Sequence, residues 1–209
     1  MKKYFQAPWN IKDLFTIISI MVFLLGLGIY FLEIYNFESY FMKTEHRTAI
    51  IALFFTIQWL ALGLPLTILT YKKYQLKWGH FGFKKIRPAL AIKESLLGYF
   101  LYLGINILIS MIIIYGDLEI PGYQMKENAL NLFGNDTLSL IIAGIIMVII
   151  APVVEEVIFR GFLLSTLINK TGKILGSTLT AMVFAIVHWP MENIIPIFIL
   201  GLIINGLYI

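Results

Sequence analysis

No cysteine occurs among the 209 residues. That excludes disulfides, thiolate nucleophiles and thiolate metal sites together, and says little about compartment. Charge is scarce as well. Asp, Glu, Lys and Arg make up 13% of the chain, about half the usual share in soluble domains. No aspartate falls inside a long apolar run: Asp13, Asp117 and Asp136 flank the runs, so an intramembrane aspartyl dyad fails. There is no His-Glu-x-x-His, which removes a zincin-type site. There is no Gly-x-Ser-x-Gly, and no second histidine in an apolar run to support a serine nucleophile. Internal repeats, low-complexity tracts and a soluble domain are also missing.

What remains is apolar. Hydrophobic residues account for 59% of the chain and the mean hydropathy is +0.86. Several runs are long enough to span a bilayer, so the expectation is an all-α, polytopic transmembrane helix bundle. About six membrane helices are predicted: 14–32, 49–71 with a kink at Pro65, 95–115, 138–168, 174–189 closed by Pro190, and 194–209. Met1-Lys2-Lys3 before the first run resembles a signal peptide. The run is long enough to span and no small-residue cleavage site follows, so an uncleaved helix is expected. Lys and Arg fall unevenly between the two sets of alternating loops, twelve against three. The positive-inside rule then puts the N-terminus in the cytoplasm of a multi-pass cell-membrane protein. The same distribution accounts for the net charge of +4 without nucleic acid. The 78–85 loop mixes aromatics with lysines and reads as an interfacial anchor. The stretch 116–137, with Asp117, Glu119, Glu127 and Asp136, reads as a solvated outer loop. The last span is short and has no charged flank, which suggests a fragment of a longer protein.

Three charges interrupt the fourth run: Glu155, Glu156 and Arg160. An ionisable group at bilayer depth costs roughly 2.5–3.5 kcal/mol on insertion scales, which makes it a functional-site hypothesis. On an α-helix Glu156 and Arg160, four apart, share a face and can pair. Glu155 sits about 100° round from Glu156, on the face of Phe159 and further on Phe162. Flanked by aromatics and with no cation at ideal spacing, Glu155 is the expected reactive carboxylate and base. Pro152 should kink the helix just before the pair and open room for water.

Of three histidines, His46 and His80 fall in loops, while His188 ends the fifth run. The turn between the fourth and fifth helices centres near Thr171. Glu155 and Glu156 lie about as far before it as His188 lies after it, so an antiparallel hairpin brings them to similar depth. Ser177, Ala181 and Ala185, four apart, allow another helix to approach closely. A carboxylate and an imidazole can then share a water that serves as nucleophile. Two blander readings stand beside this one. The charges form an intrahelical cluster near the surface that serves orientation, or they belong to a transporter's proton or ion relay. The relay predicts charges on several helices, and here they concentrate on one.

Glu155-Glu156-x-x-x-Arg160 followed by Phe184-x-x-x-His188 resembles the type II CAAX prenyl protease and bacteriocin-processing (Abi, or CPBP) family of intramembrane proteases. The lead-in Ala151-Pro152 and the following Gly161 fit the pattern, as does the Phe81-Gly82-Phe83 loop upstream. The resemblance covers residues 138–209, the expected catalytic core, with residues 1–137 forming three preceding helices and their loops. It implies an endopeptidase acting on a membrane-associated peptide or protein within the lipid bilayer. In that pattern Glu155 and His188 activate water, and Glu156 and Arg160 support them. The family's names speak of metalloproteases. A metal-free glutamate mechanism is the reading carried over first, and a divalent zinc ion stays open as cofactor. The family has a further His-x-x-x-Asn or Asp element on a later helix that this sequence does not contain. Asn205, in Gly201-x-x-x-Asn205-Gly206, is expected to make helix–helix hydrogen bonds instead. The missing element leaves an alternative: a non-catalytic bacteriocin-immunity or scaffold protein on the same fold.

Overall fold

The computed structural model describes residues 8–34, 47–75, 81, 87–118, 136–188 and 194–209. Among them there is no strand. The helices are α1 (Ile11–Ile34), α2 (Arg47–Tyr74), α3 (Pro88–Gly116), α4 (Thr137–Thr171), α5 (Lys173–Val187) and α6 (Ile194–Tyr208). The all-α, polytopic expectation holds. The first four are long and apolar enough to cross a membrane, whereas α5 and α6 have 15 residues each. Fifteen residues rise about 22 Å, short of a hydrocarbon core of about 30 Å. His46, His80, Trp189, Pro190, the 78–85 loop apart from Phe81, and the acidic residues Glu119 and Glu127 lie outside the described residues.

Polar residues at the ends set where the helices begin. Asn10 and Asp13 exchange bonds at the start of α1: each backbone N–H donates to the other's side chain at 3.0 Å. That reciprocal cap satisfies two donors that an α-helix leaves orphaned. Pro88 opens α3, where its missing N–H costs nothing. Asp136 caps α4, its carboxylate accepting the Ser139 N–H at 3.0 Å. Pro65 lies inside α2, which continues through it.

The chain forms two compact units. One holds α1, α2 and α4 as far as Ile158. Here α1 and α2 are antiparallel: Asp13, near the start of α1, binds Lys73 and Tyr74 at the end of α2. Trp9 stacks on Phe81 beside them, ring centroids 5.9 Å apart. In contrast, α2 and α4 are parallel. The Thr48 and Ser139 hydroxyls are 2.5 Å apart, a separation of 91 in sequence, and Gly63 meets Val154 at that same offset. Between these contacts Ala143 and Ile146 pack against Ile51, Ala52 and Phe55. Two spans separated by one other must cross in the same direction, and this register obeys that rule.

The other unit holds α3, α4 from Phe159 onward, α5 and α6. Gly172, at φ 85°, makes the turn between α4 and α5, a backbone state that glycine adopts without strain. One turn later Gly176 lies so close to α4 that a Cβ there would stand 2.6 Å from the Ile168 nitrogen. The α5–α6 pair closes in the same manner. A Cβ on Gly201 would lie 3.2 Å from Ala181. The predicted stripe of small residues on α5 is thus where α6 approaches, with Ala181 and Ala185 both buried. Asn205 Nδ2 donates to the Ser177 carbonyl at 3.0 Å, the interhelical bond expected of it.

The long helix α4 is not uniformly α. It is π-helical over Ile145–Ile150 and again over Glu156–Leu164. The first stretch ends where Pro152 follows: Ala151 N–H reaches back five residues to the Ile146 carbonyl. A proline ring clashes with the carbonyl four residues earlier, and a widened turn relieves that clash. The break foreseen at Pro152 therefore takes the form of a π-helical turn ahead of it.

Candidate active site

The four residues singled out in the sequence lie on α4 and at the end of α5. Glu155 closes the short α-helical stretch Ala151–Glu155, and Glu156 opens the second π-helical stretch. Both side chains are half-buried, at the end of the α1–α2–α4 unit. The Glu156 N–H donates to the Pro152 and Val153 carbonyls, so the backbone is tied through the carboxylate pair. The face assignments made in sequence assumed α spacing. The π-helical turn is wider, and side chains four apart stack less directly.

Every residue from Val157 to Thr166 is buried. Two hydroxyls in this run return their protons to the helix: Ser165 to the Gly161 carbonyl at 2.6 Å and Thr166 to the Phe162 carbonyl at 2.6 Å. Such back-bonding satisfies polar groups where no water is at hand. Arg160 is the exception in kind, a guanidinium only 1% exposed. Its Cζ lies 4.7 Å from the ring centroid of Phe184 on α5. A cation over an aromatic face gains about 2 kcal/mol or more when desolvated.

Phe184 is buried and has three further neighbours. Phe159 meets it edge to face, centroids 4.9 Å apart. Gly201 of α6 leaves it room, since a Cβ there would come within 3.3 Å of its Cδ1. The His188 ring lies 4.3 Å away, tilted by 50°.

His188 is not inside a helix, as the predicted 174–189 span had it. It caps α5 at φ −91° and ψ 35°, its N–H donating to the Ala185 carbonyl at 3.2 Å. Its Nδ1 is 2.7 Å from the Phe184 carbonyl oxygen. A carbonyl only accepts, so Nδ1 carries a proton, and in the neutral ring Nε2 then holds the lone pair. The structure thus brings Arg160 and His188 to one aromatic ring. Glu155 and Glu156 lie in the other compact unit. The sequence motif contained Phe184, but nothing in its spacing revealed that it touches both.

A catalytic zinc site takes three protein ligands. Among the described residues no three of His, Asp and Glu gather closely enough to hold a metal.

The helices and this site define the class: a multi-pass helical membrane protein with ionisable groups inside its apolar segments. Within that class, residues 137–209 match the family model described as type II CAAX prenyl endopeptidase Rce1-like. The match takes in α4, α5 and α6, hence Glu155, Glu156, Arg160 and His188 together. No curated protein and no solved structure matches the chain.

Proposed function

We propose that this chain is an intramembrane endopeptidase that hydrolyses a peptide bond in a membrane-associated substrate of the CAAX type. The observation that carries the reading is the Rce1-like match over the segment holding both carboxylates, the arginine and the histidine. The local chemistry of His188 supports it, because an Nε2 lone pair is what a water-positioning imidazole needs.

The α4–α5 hairpin supplies the second support. Gly176 lies against Ile168, and Phe184 against Phe159. Glu155 and His188 stand about equally far in sequence from the Gly172 turn, the spacing an antiparallel hairpin needs to bring them to similar depth. A water between them gives one proton to Glu155 and a hydrogen bond to His188 Nε2. Its oxygen attacks the substrate carbonyl, and Glu155 then returns the proton to the leaving amine. Glu156 pairs with Arg160, whose charge is set against the Phe184 face, and this pair supports the reacting carboxylate. Residues 138–209 form the catalytic core and residues 1–137 the preceding helices. The parallel packing of α2 and α4 is consistent with alternating crossings, and the excess of Lys and Arg in alternate loops favours an N-terminus in the cytoplasm of the cell membrane.

The test is cleavage of a prenylated CAAX peptide by the full chain reconstituted in bilayers. General acid–base groups contribute about 10²–10⁴-fold. Glu155→Ala and His188→Ala should each lower kcat by at least about 100-fold with expression unchanged. Unchanged cleavage by either variant overturns the assignment.

A further inference from the structure

We propose that Phe184 is a positioning residue that holds His188 in one tautomer and one orientation, with its ring anchored by Arg160. Two different parts of the residue are involved. Its backbone carbonyl takes the His188 Nδ1 proton at 2.7 Å. Its ring carries the Arg160 charge at 4.7 Å and touches the imidazole at 4.3 Å.

The surroundings fix the ring from other sides. Phe159 stands against it edge to face, and a Cβ at Gly201 of α6 would press on it at 3.3 Å. A ring held by a buried cation cannot tip without losing that attraction. His188 needs such a support because it lies at a helix cap, where φ and ψ have left the helical range. Fixing the tautomer of an imidazole through its remote nitrogen decides what the other nitrogen can do. With Nδ1 committed to the Phe184 carbonyl, Nε2 is an acceptor and is aimed by the same side chain.

The kinetic arm of this inference rests on the endopeptidase reading; the spectroscopic arm does not. In the full chain, Phe184 is replaced by 4-fluoro-, 3,5-difluoro- and 3,4,5-trifluorophenylalanine, and then by cyclohexylalanine. The fluorinated rings keep shape while the negative face weakens stepwise, and cyclohexylalanine keeps the bulk and the carbonyl but has no face. The expected result is a graded fall in kcat, about tenfold by cyclohexylalanine, with KM within about twofold. A flat series overturns the role of the ring. Separately, nitrogen NMR of labelled His188 reads the tautomer with no substrate present. In the neutral ring the wild type should show the proton on Nδ1 and not on Nε2, and the His188 signals should shift along the fluorinated series. A protonated Nε2 in the neutral ring, or signals indifferent to the ring at 184, overturns the proposal. If no peptide is cleaved, the endopeptidase reading fails and the NMR result alone decides the placement of His188.

Discussion

A Cβ on Gly176 would lie 2.6 Å from the backbone nitrogen of Ile168 and 2.8 Å from its Cα. Those are backbone atoms of the neighbouring helix, with no rotamer to yield. Gly176 is therefore the point at which α5 rests on α4 just after the Gly172 turn, and it sets the depth at which His188 arrives.

Gly176→Ala should accordingly cost about 1–3 kcal/mol or more, the range for forcing extra atoms into a packed interior. Gly98→Ala is the control. Its added Cβ would meet the tip of Leu207 at 2.8 Å, the end of a flexible side chain that turns away cheaply. Thermal unfolding in bilayers or mild detergent should show a clear loss for the first variant and little for the second. Equal losses would remove Gly176 from its special place.

Asp13 carries a second expectation. It accepts from Asn10, Lys73 and Tyr74, so one carboxylate caps α1 and fastens it to the end of α2. Asp13→Ala removes all three partners and should lower the melting temperature. Asp13→Asn keeps an acceptor for the cap but loses the charge, and should fall between. A melting temperature unmoved by Asp13→Ala would show that the apolar contacts of α1 and α2 suffice.

Asp136 gives a pH dependence. The Ser139 hydroxyl, then the Ser139 N–H, hold its carboxyl below the ordinary value of 3.8. A carboxylate depressed in the folded state stabilises it above the unfolded pKa, and that contribution fades as pH falls through the folded one. The melting temperature of the wild type should therefore drop more steeply below about pH 4 than that of Asp136→Asn. Parallel curves for the two proteins would contradict the capping role.

Much of this was legible in residue order because membrane spans declare themselves by hydropathy. Count, class and approximate limits of the helices follow from the apolar runs, and the ends moved outward where Asn10, Pro88 and Asp136 begin helices with polar or proline residues. The close approach at Ala181 was legible from its small side chain. The π-helical turns were not, because a wider turn leaves no mark in a uniformly apolar sequence such as Ile145–Ile150. Nor was the double contact of Phe184 with Arg160 and His188, since an aromatic on an apolar helix face usually reads as packing alone. In the sequence Asp13 reads as a flanking charge, and its burial shows only when α2 returns Lys73 and Tyr74 beside it.

The most direct measurement uses the absence of native cysteine. Glu155→Cys and His188→Cys are introduced together into the full chain, in bilayers, and oxidised. Thr48→Cys with Ser139→Cys is the reference, since those hydroxyls already lie 2.5 Å apart. If the acid of α4 and the imidazole after α5 share one water, the 155–188 pair should form a disulfide or accept a short bifunctional thiol reagent about as readily as the reference. A reference that links completely beside a 155–188 pair that links with neither would contradict the account.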